Sequence, residues 1–149
     1  MLEISFRLAW LKAGAPSRRA FKLPGAADSM EEYVGRMGRS FPCRIGGGIP
    51  DRNAGRLWLL DHGKGAKMLS SEELASALRR ERDGGSDRLE ILIGGPDGFP
   101  DEAVALLRPD LRWSLGPMTL PHELAAVVAA EQVYRAWSIL MGSPYHLGH

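Results

Sequence analysis

Apolar positions along the chain fall into two spacings that alternate with one another. Short unbroken runs, Leu57-Trp58-Leu59-Leu60 and Leu89-Glu90-Ile91-Leu92-Ile93, read as buried strands, and residues 111–115 make a third, shorter one. Residues 2–11 also read as a strand, with a short helix as the alternative because the run is mixed in period. Between these runs the spacing lengthens to three and four. Residues 28–39 predict a short helix opening after Asp28 or Ser29, with Tyr33, Val34 and Met37 on one face. Ser70 stands three residues before Glu73, the pattern of a capping box, and Leu74 and Leu78 stack behind it at helical spacing. A helix over 100–108 should end before Pro109, because proline disfavours helical geometry in the residue preceding it. The last element is a helix over 122–140, with Leu124, Val127, Val128, Tyr134 and Trp137 as its apolar positions. Strands alternating with helices predict an α/β layered fold around a mostly parallel sheet.

The connecting segments are rich in Gly, Pro, Asn and Asp. Residues 46–56 (GGGIPDRNAGR) read as loop, and HGKG after Asp61 reads as a flexible turn. The triple glycine is not a phosphate-binding loop, since that motif needs Gly-Lys-Ser/Thr opening a helix and Ile49-Pro50 follows instead.

Composition changes this picture little. The 149 residues are 44% hydrophobic and 25% charged, which suits one soluble domain with a single core. No apolar run approaches the length that spans a bilayer, and the N-terminus lacks a signal-peptide core. Cys43 is the only cysteine, so an intrachain disulfide and a Cys-based zinc site are excluded, and a cytoplasmic location is the simplest expectation. Charge is more informative by position than in total. Residues 1–88 carry 16 Lys/Arg against 11 Asp/Glu, and residues 89–149 carry 3 against 7, so the front is about +5 and the back about −4. The basic front suits a phosphate-bearing partner, with solvated arginines on surface helices as the alternative.

Ligands of open parallel sheets bind beyond the carboxyl ends of the strands. Three such ends are candidates: Leu60-Asp61, the run Gly94-Gly95-Pro96-Asp97-Gly98, and the run Gly116-Pro117-Met118-Thr119-Leu120-Pro121-His122. Gly and Pro there let backbone approach a ligand and present its own donors and acceptors. The second run is not a dinucleotide fingerprint, because Pro96 removes a donor where a phosphate would need one. A ligand without a pyrophosphate, such as an adenosine read by backbone groups, fits better. Four histidines without paired spacing predict no metal site.

Read in order, LLDHGKGAKMLSSEELA, LIGGPDG, WSLGPMTLPHEL, AEQVYRAWSI and PYH near the C-terminus resemble one family. They are similar to the ribosomal large-subunit pseudouridine N3-methyltransferases (the RlmH group) of the SPOUT superfamily, from about residue 57 to 149. The resemblance implies a SPOUT-type α/β knot, a C-terminal trefoil that forms the pocket for S-adenosylmethionine. It further implies a homodimer and a pseudouridine of large-subunit rRNA on the ribosome as methyl acceptor. Residues 1–149 would form one methyltransferase domain, with 57–149 the knotted core and 1–56 a shortened front part. The cofactor-binding residues it implies are Leu60, Gly95, Gly116, Pro117, Met118, Thr119, Leu120 and Pro121.

The catalytic candidates are His146, Arg135, Glu131 and Tyr145. His146 is the candidate base, because an unperturbed histidine titrates near neutral pH; a disordered terminal histidine beside His149 is the alternative. Arg135 is the candidate for stabilising negative charge or holding a phosphate, with an i,i+4 pair to Glu131 as a compatible structural role. Tyr134 and Trp137 read as core or dimer-interface residues, His122 as structural or cofactor-adjacent, and His62 as exposed loop.

Two departures from the family pattern stand out. A second strand and a long charged helix are reduced to Cys43-Arg44-Ile45 and the glycine-rich loop, about twenty residues fewer, which should expose an apolar sheet face. Ala126 replaces a common arginine, which should weaken contact with RNA or a partner subunit. A knotted dimer that binds the cofactor without productive ribosome binding is therefore the alternative function.

Overall fold

The computed structural model describes residues 1–62 and 65–148. Within them the elements run β1 (Glu3–Leu8), α1 (Ala26–Gly38), β2 (Cys43–Gly47), β3 (Arg56–Leu60), β4 (Lys67–Met68), α2 (Ser71–Asp83), β5 (Arg88–Ile93), α3 (Asp101–Leu107), β6 (Leu111–Ser114) and α4 (His122–Leu140). The strands form one sheet in the order β2-β1-β5-β3-β6-β4, with every neighbouring pair parallel. The mostly parallel α/β architecture is thus as the alternation of periods implied. Gly63 and Lys64 of the expected HGKG turn, and His149, lie outside the described residues.

Strand β1 alternates, with Ile4, Phe6 and Leu8 buried in the main core and Glu3, Ser5 and Arg7 on the opposite face. The main core joins these residues to Ile91, Trp58 and Trp113 from the sheet and to α1, α2 and α4. A smaller cluster on the other face holds Leu57, Leu59 and Leu92 under Val104 of α3. Helix α2 begins as its sequence predicts. Ser70 Oγ accepts the Glu73 N–H and the Glu73 carboxylate accepts the Ser70 N–H.

Helix α1 begins at Ala26, two residues earlier than its sequence suggested. Gly25 precedes it in the left-handed region at φ 82°, which leaves Asp28 inside the first turn, where it pairs with Arg18 rather than capping the helix. Of the apolar positions expected on α4, Val127, Tyr134 and Trp137 pack against the main core, but the fully buried positions are mostly small. Ala126, Ala129, Ala130, Val133 and Ala136 face the core, while Leu124 is 36% exposed and Val127 and Val128 are half-buried. Small side chains let α4 settle closely against α1 and α2, and of its larger aliphatic residues Leu124 is the one turned outward.

The reduced front differs from expectation in two ways. The second strand is present, as edge strand β2 paired with β1 from Ile4–Cys43 to Leu8–Gly47. The helix after it is absent among the described residues. Residues 48–55 instead run from the carboxyl end of β2 to the amino end of β3, three strands away, with only a 3-10 turn at Arg52–Ala54. The sheet face left without that helix is polar rather than apolar. Glu90 there pairs with Arg88 at 2.9 Å, and Arg44 with Glu3 at 2.9 Å and with Ser5 Oγ at 3.1 Å. The triple glycine also has a packing reason, since a Cβ on Gly47 would sit 1.9 Å from the Lys12 carbonyl oxygen.

Candidate functional site

The carboxyl ends of β3, β5 and β6 converge on a cleft of about 400 Å³. All three segments singled out from the sequence line it. Leu60 ends β3 and Asp61 follows it, Gly94-Gly95-Pro96 and Gly98 follow β5, and Gly116 with Met118 to His122 follows β6. Of the eight cofactor-site residues expected, Leu60, Gly95, Gly116, Met118, Thr119, Leu120 and Pro121 are in the lining, whereas Pro117 is not among the lining residues.

Local chemistry shapes these loops. A Cβ on Gly94 would lie 2.9 Å from the Phe99 ring, so only glycine lets the loop turn against that ring. Gly116 takes φ 122°, and its N–H donates to Ser114 Oγ at 3.1 Å. Pro96 and Pro121 have no N–H to offer a phosphate. Asp61 is the main charged group of the lining. Its Oδ2 accepts Arg112 Nε at 3.1 Å, and its Oδ1 accepts the His62 N–H at 2.8 Å. His62 is exposed, as its loop position suggested, and also lines the cleft. His122 lines the cleft at the start of α4, its ring edge-on to Trp10 with centroids 4.5 Å apart. Phe99 and Ala125 complete the wall, and no sequence motif points to either, because each is an ordinary apolar residue placed by the fold.

The four catalytic candidates gather elsewhere, where the C-terminal tail crosses α4. Arg135 Nε donates to Glu131 Oε1 at 3.0 Å, one turn apart on the helix. The Tyr145 hydroxyl reaches the same oxygen at 3.4 Å, and the Arg135 guanidinium lies 5.2 Å from the Tyr145 ring centre. His146 belongs to a short 3-10 turn, His146–Gly148, and is held from both sides. Its Nδ1 is 3.4 Å from Arg135 Nη1, and its Nε2 is 3.0 Å from Glu72 Oε1 on α2. Because a guanidinium only donates, Nδ1 is the acceptor and neutral His146 carries its proton on Nε2, toward Glu72. Glu72 has no sequence signal for this role. Its partner is 74 residues away, and the residue reads as an ordinary helix-opening acid.

Charges in the cluster are set by these contacts. The hydrogen bond that Arg135 donates to Glu131 raises the Arg135 pKa above its ordinary value, so this cation is fixed. Burial, reinforced by a hydrogen bond with Tyr33, pushes the Tyr145 hydroxyl up to about 12. Glu72 is lowered by its own backbone N–H at the helix start and then by His146. None of the four candidates lines the cleft. Ala125 is the last cleft residue on α4, and ten residues of helix place Arg135 about 15 Å farther along the axis.

Fold and cleft together define a parallel α/β domain with a backbone-rich ligand cleft beyond its central strands. The sequence profile of the family described as Predicted SPOUT methyltransferase matches residues 49–146. Two relatives named Ribosomal RNA large subunit methyltransferase H are similar over most of their length. The one from Hahella chejuensis is 40% identical over 148 residues, covering 84% of this chain and 92% of its own. The one from Alkalilimnicola ehrlichii is 38% identical over 153 residues, with the same shares of 84% and 92%. Among solved structures, a probable methylase family protein from Haemophilus influenzae shares the fold with a TM-score of 0.53 at 10% identity, covering 96% of this chain and 69% of that one. The chain belongs to the SPOUT methyltransferase family.

Proposed function

We propose that this protein transfers a methyl group from S-adenosylmethionine to N3 of a pseudouridine in large-subunit ribosomal RNA, working as a homodimer in the cytoplasm. The observation that carries the cofactor half is the cleft itself. Three strand ends close around it, two of them rich in glycine and proline, and Pro96 and Pro121 interrupt the backbone donors that a phosphate would use. Its Asp61 carboxylate is held by Arg112, so it fixes the end of β3 in the lining. When bound, S-adenosylmethionine supplies a methyl group activated by its sulfonium. The backbone of Gly94–Gly98 and Gly116–Pro121 would hold the adenosine and methionine portions, and Leu60 would pack beside them. Among the described residues no helix is long and apolar enough to cross a membrane. The acceptor half rests on the two relatives named for the large subunit.

Separation of cleft and cluster supports the dimer. Leu124, Val128, Glu131 and Arg135 recur at four, three and four residues, so they share one face of α4 that the sheet does not cover. A second copy docked on that aliphatic stripe would bring its own cluster toward this cleft. In that reading the trefoil threading of the C-terminal segment keeps the cleft loops in place.

The cluster then has the two groups that N-methylation needs, a fixed cation and a proton acceptor. Arg135, kept charged by Glu131, stabilises the ring anion left when N3 loses its proton. His146 accepts that proton at Nδ1 only after Arg135 leaves Nδ1, so freeing the base and offering the guanidinium to the substrate are one movement. Tyr145 stacks on the guanidinium and stays protonated, and Glu72 holds the Nε2–H tautomer. Calorimetric titration with S-adenosylmethionine tests the cofactor half, which predicts saturable binding abolished by a bulky residue at Gly95. Absence of binding at millimolar cofactor refutes it.

A further inference from the structure

The segment between β1 and α1 forms a strap that packs against two cleft residues, His122 and Gly95, and is anchored at several points. Trp10 packs edge-on against His122, and its Cβ lies 3.4 Å from where a Gly95 side chain would begin. The Gly47 N–H donates to the Gly14 carbonyl oxygen at 2.8 Å. Farther along, the Glu123 carboxylate, 4% exposed in the first turn of α4, accepts main-chain N–H groups. Lys22 donates to both of its oxygens at 2.9 Å, and Leu23 to one at 2.8 Å. A buried carboxylate spent on two main-chain donors fixes the path of the strap, not the direction of its side chains.

Those side chains share one sign. From Leu8 to Ala27 there is no Asp or Glu, while Lys12, Arg18, Arg19 and Lys22 are all exposed. Arg18 is neutralised by Asp28 and Glu31. Among the described residues Lys12, Arg19 and Lys22 have no ion pair. Three solvated cations on an anchored segment whose Trp10 packs on the cleft residue His122 make a surface for a polyanion.

We infer that this strap is a docking surface for the phosphate backbone of the RNA substrate, with Lys12, Arg19 and Lys22 as the phosphate contacts. The inference rests on the proposed action on RNA and adds where that RNA lies. The three side chains contact phosphates without reading bases, so they set affinity and its salt dependence rather than sequence choice.

The test compares the wild-type protein with Lys12→Ser/Arg19→Ser/Lys22→Ser. The Lys22 anchor uses only its main chain and survives the change. A control variant, Arg79→Ser/Arg80→Ser, removes two exposed cations from α2. Binding to ribosomal large subunits and to a fragment of their RNA is measured across salt concentrations. The triple variant should bind RNA at least ~10-fold more weakly, with the log–log salt slope smaller by about 2–3, since each phosphate contact contributes roughly 0.7–0.9. Its calorimetric affinity for S-adenosylmethionine should match wild type, and the control should keep the wild-type slope. An unchanged slope in the triple variant, or an equal loss in the control, overturns the strap while leaving the methyltransferase reading intact. A wild-type protein that binds neither subunits nor RNA, or that prefers anionic lipid vesicles, overturns both.

Discussion

Arg112 on β6 donates from Nε to Oδ2 of Asp61, at 3.1 Å, tying β6 to the cleft-lining residue that follows β3. The pair is largely sheltered, with side-chain exposures of 27% and 10%. Replacing Asp61 by alanine leaves a half-buried guanidinium and the His62 N–H without this acceptor. The variant should lose about 1–3 kcal/mol of stability in urea unfolding, in line with an unsatisfied buried polar group. Its affinity for S-adenosylmethionine should fall as well, while Asp61→Asn, which keeps an acceptor oxygen, should lose less of both. Wild-type affinity in the alanine variant would remove Asp61 from the binding site.

Arg135 should separate chemistry from cofactor binding. Truncation to alanine removes the fixed cation from a cluster that lies off the cleft, so cofactor affinity should stay within about twofold. Single-turnover methyl transfer should slow by roughly 100–1,000-fold, the usual effect of losing one preorganised charge-stabilising group. Arg135→Lys should not restore the rate, because an ammonium cannot hold Glu131 and face the ring anion at once as the planar fork does.

Two buried acids predict an alkaline limb in stability. Burial pushes the Cys43 thiol from 9.0 up to about 12, and the Tyr145 hydroxyl from 10.0 up to about 12. For each, the folded value lies above the unfolded one, so the neutral form is favoured in the fold. Their contribution is fully present below pH 9 for Cys43 and below pH 10 for Tyr145, and is lost as pH rises toward 12. Urea midpoints measured from pH 8 to 11 should fall across that window, and Tyr145→Phe should flatten the part above pH 10. Iodoacetamide should also label Cys43 slowly at pH 8, since little thiolate is present.

Ala126 tests what the family arginine does in this chain. The sequence suggested a lost cation at an RNA- or partner-facing position, but Ala126 is 0% exposed and sits on the core side of α4. Ala126→Arg must therefore displace packed neighbours and bury a charge. A destabilisation of about 1–3 kcal/mol or more is expected, with no gain in RNA affinity. A variant of wild-type stability that binds RNA more tightly would contradict this placement.

The legible parts of the structure were those decided locally. Strand ends, the Ser70–Glu73 capping box and the stop before Pro109 each depend on residues within one turn or one peptide bond, so their signals survive in sequence. The cleft followed because parallel strands place their carboxyl ends together. On α4 the larger apolar positions Val127, Tyr134 and Trp137 were legible, whereas the fully buried alanines were not, because alanine carries little weight in an apolar pattern. The polar sheet face had a signal in the strict alternation of Glu3, Ser5 and Arg7 with Ile4, Phe6 and Leu8. The Glu72–His146 contact and the strap anchored by Glu123 had none, since both join residues brought together only by the fold.

The most direct test of the account is methyl transfer to ribosomal large subunits that lack the modification, using S-adenosylmethionine with an isotopically labelled methyl group. Nucleoside mass spectrometry of the digested RNA should show the label on pseudouridine, at N3, with the signal lost in Arg135→Ala. Saturable cofactor binding with no label in ribosomal RNA, in subunits or free, would contradict the catalytic assignment and leave a cofactor-binding member of the SPOUT family in its place.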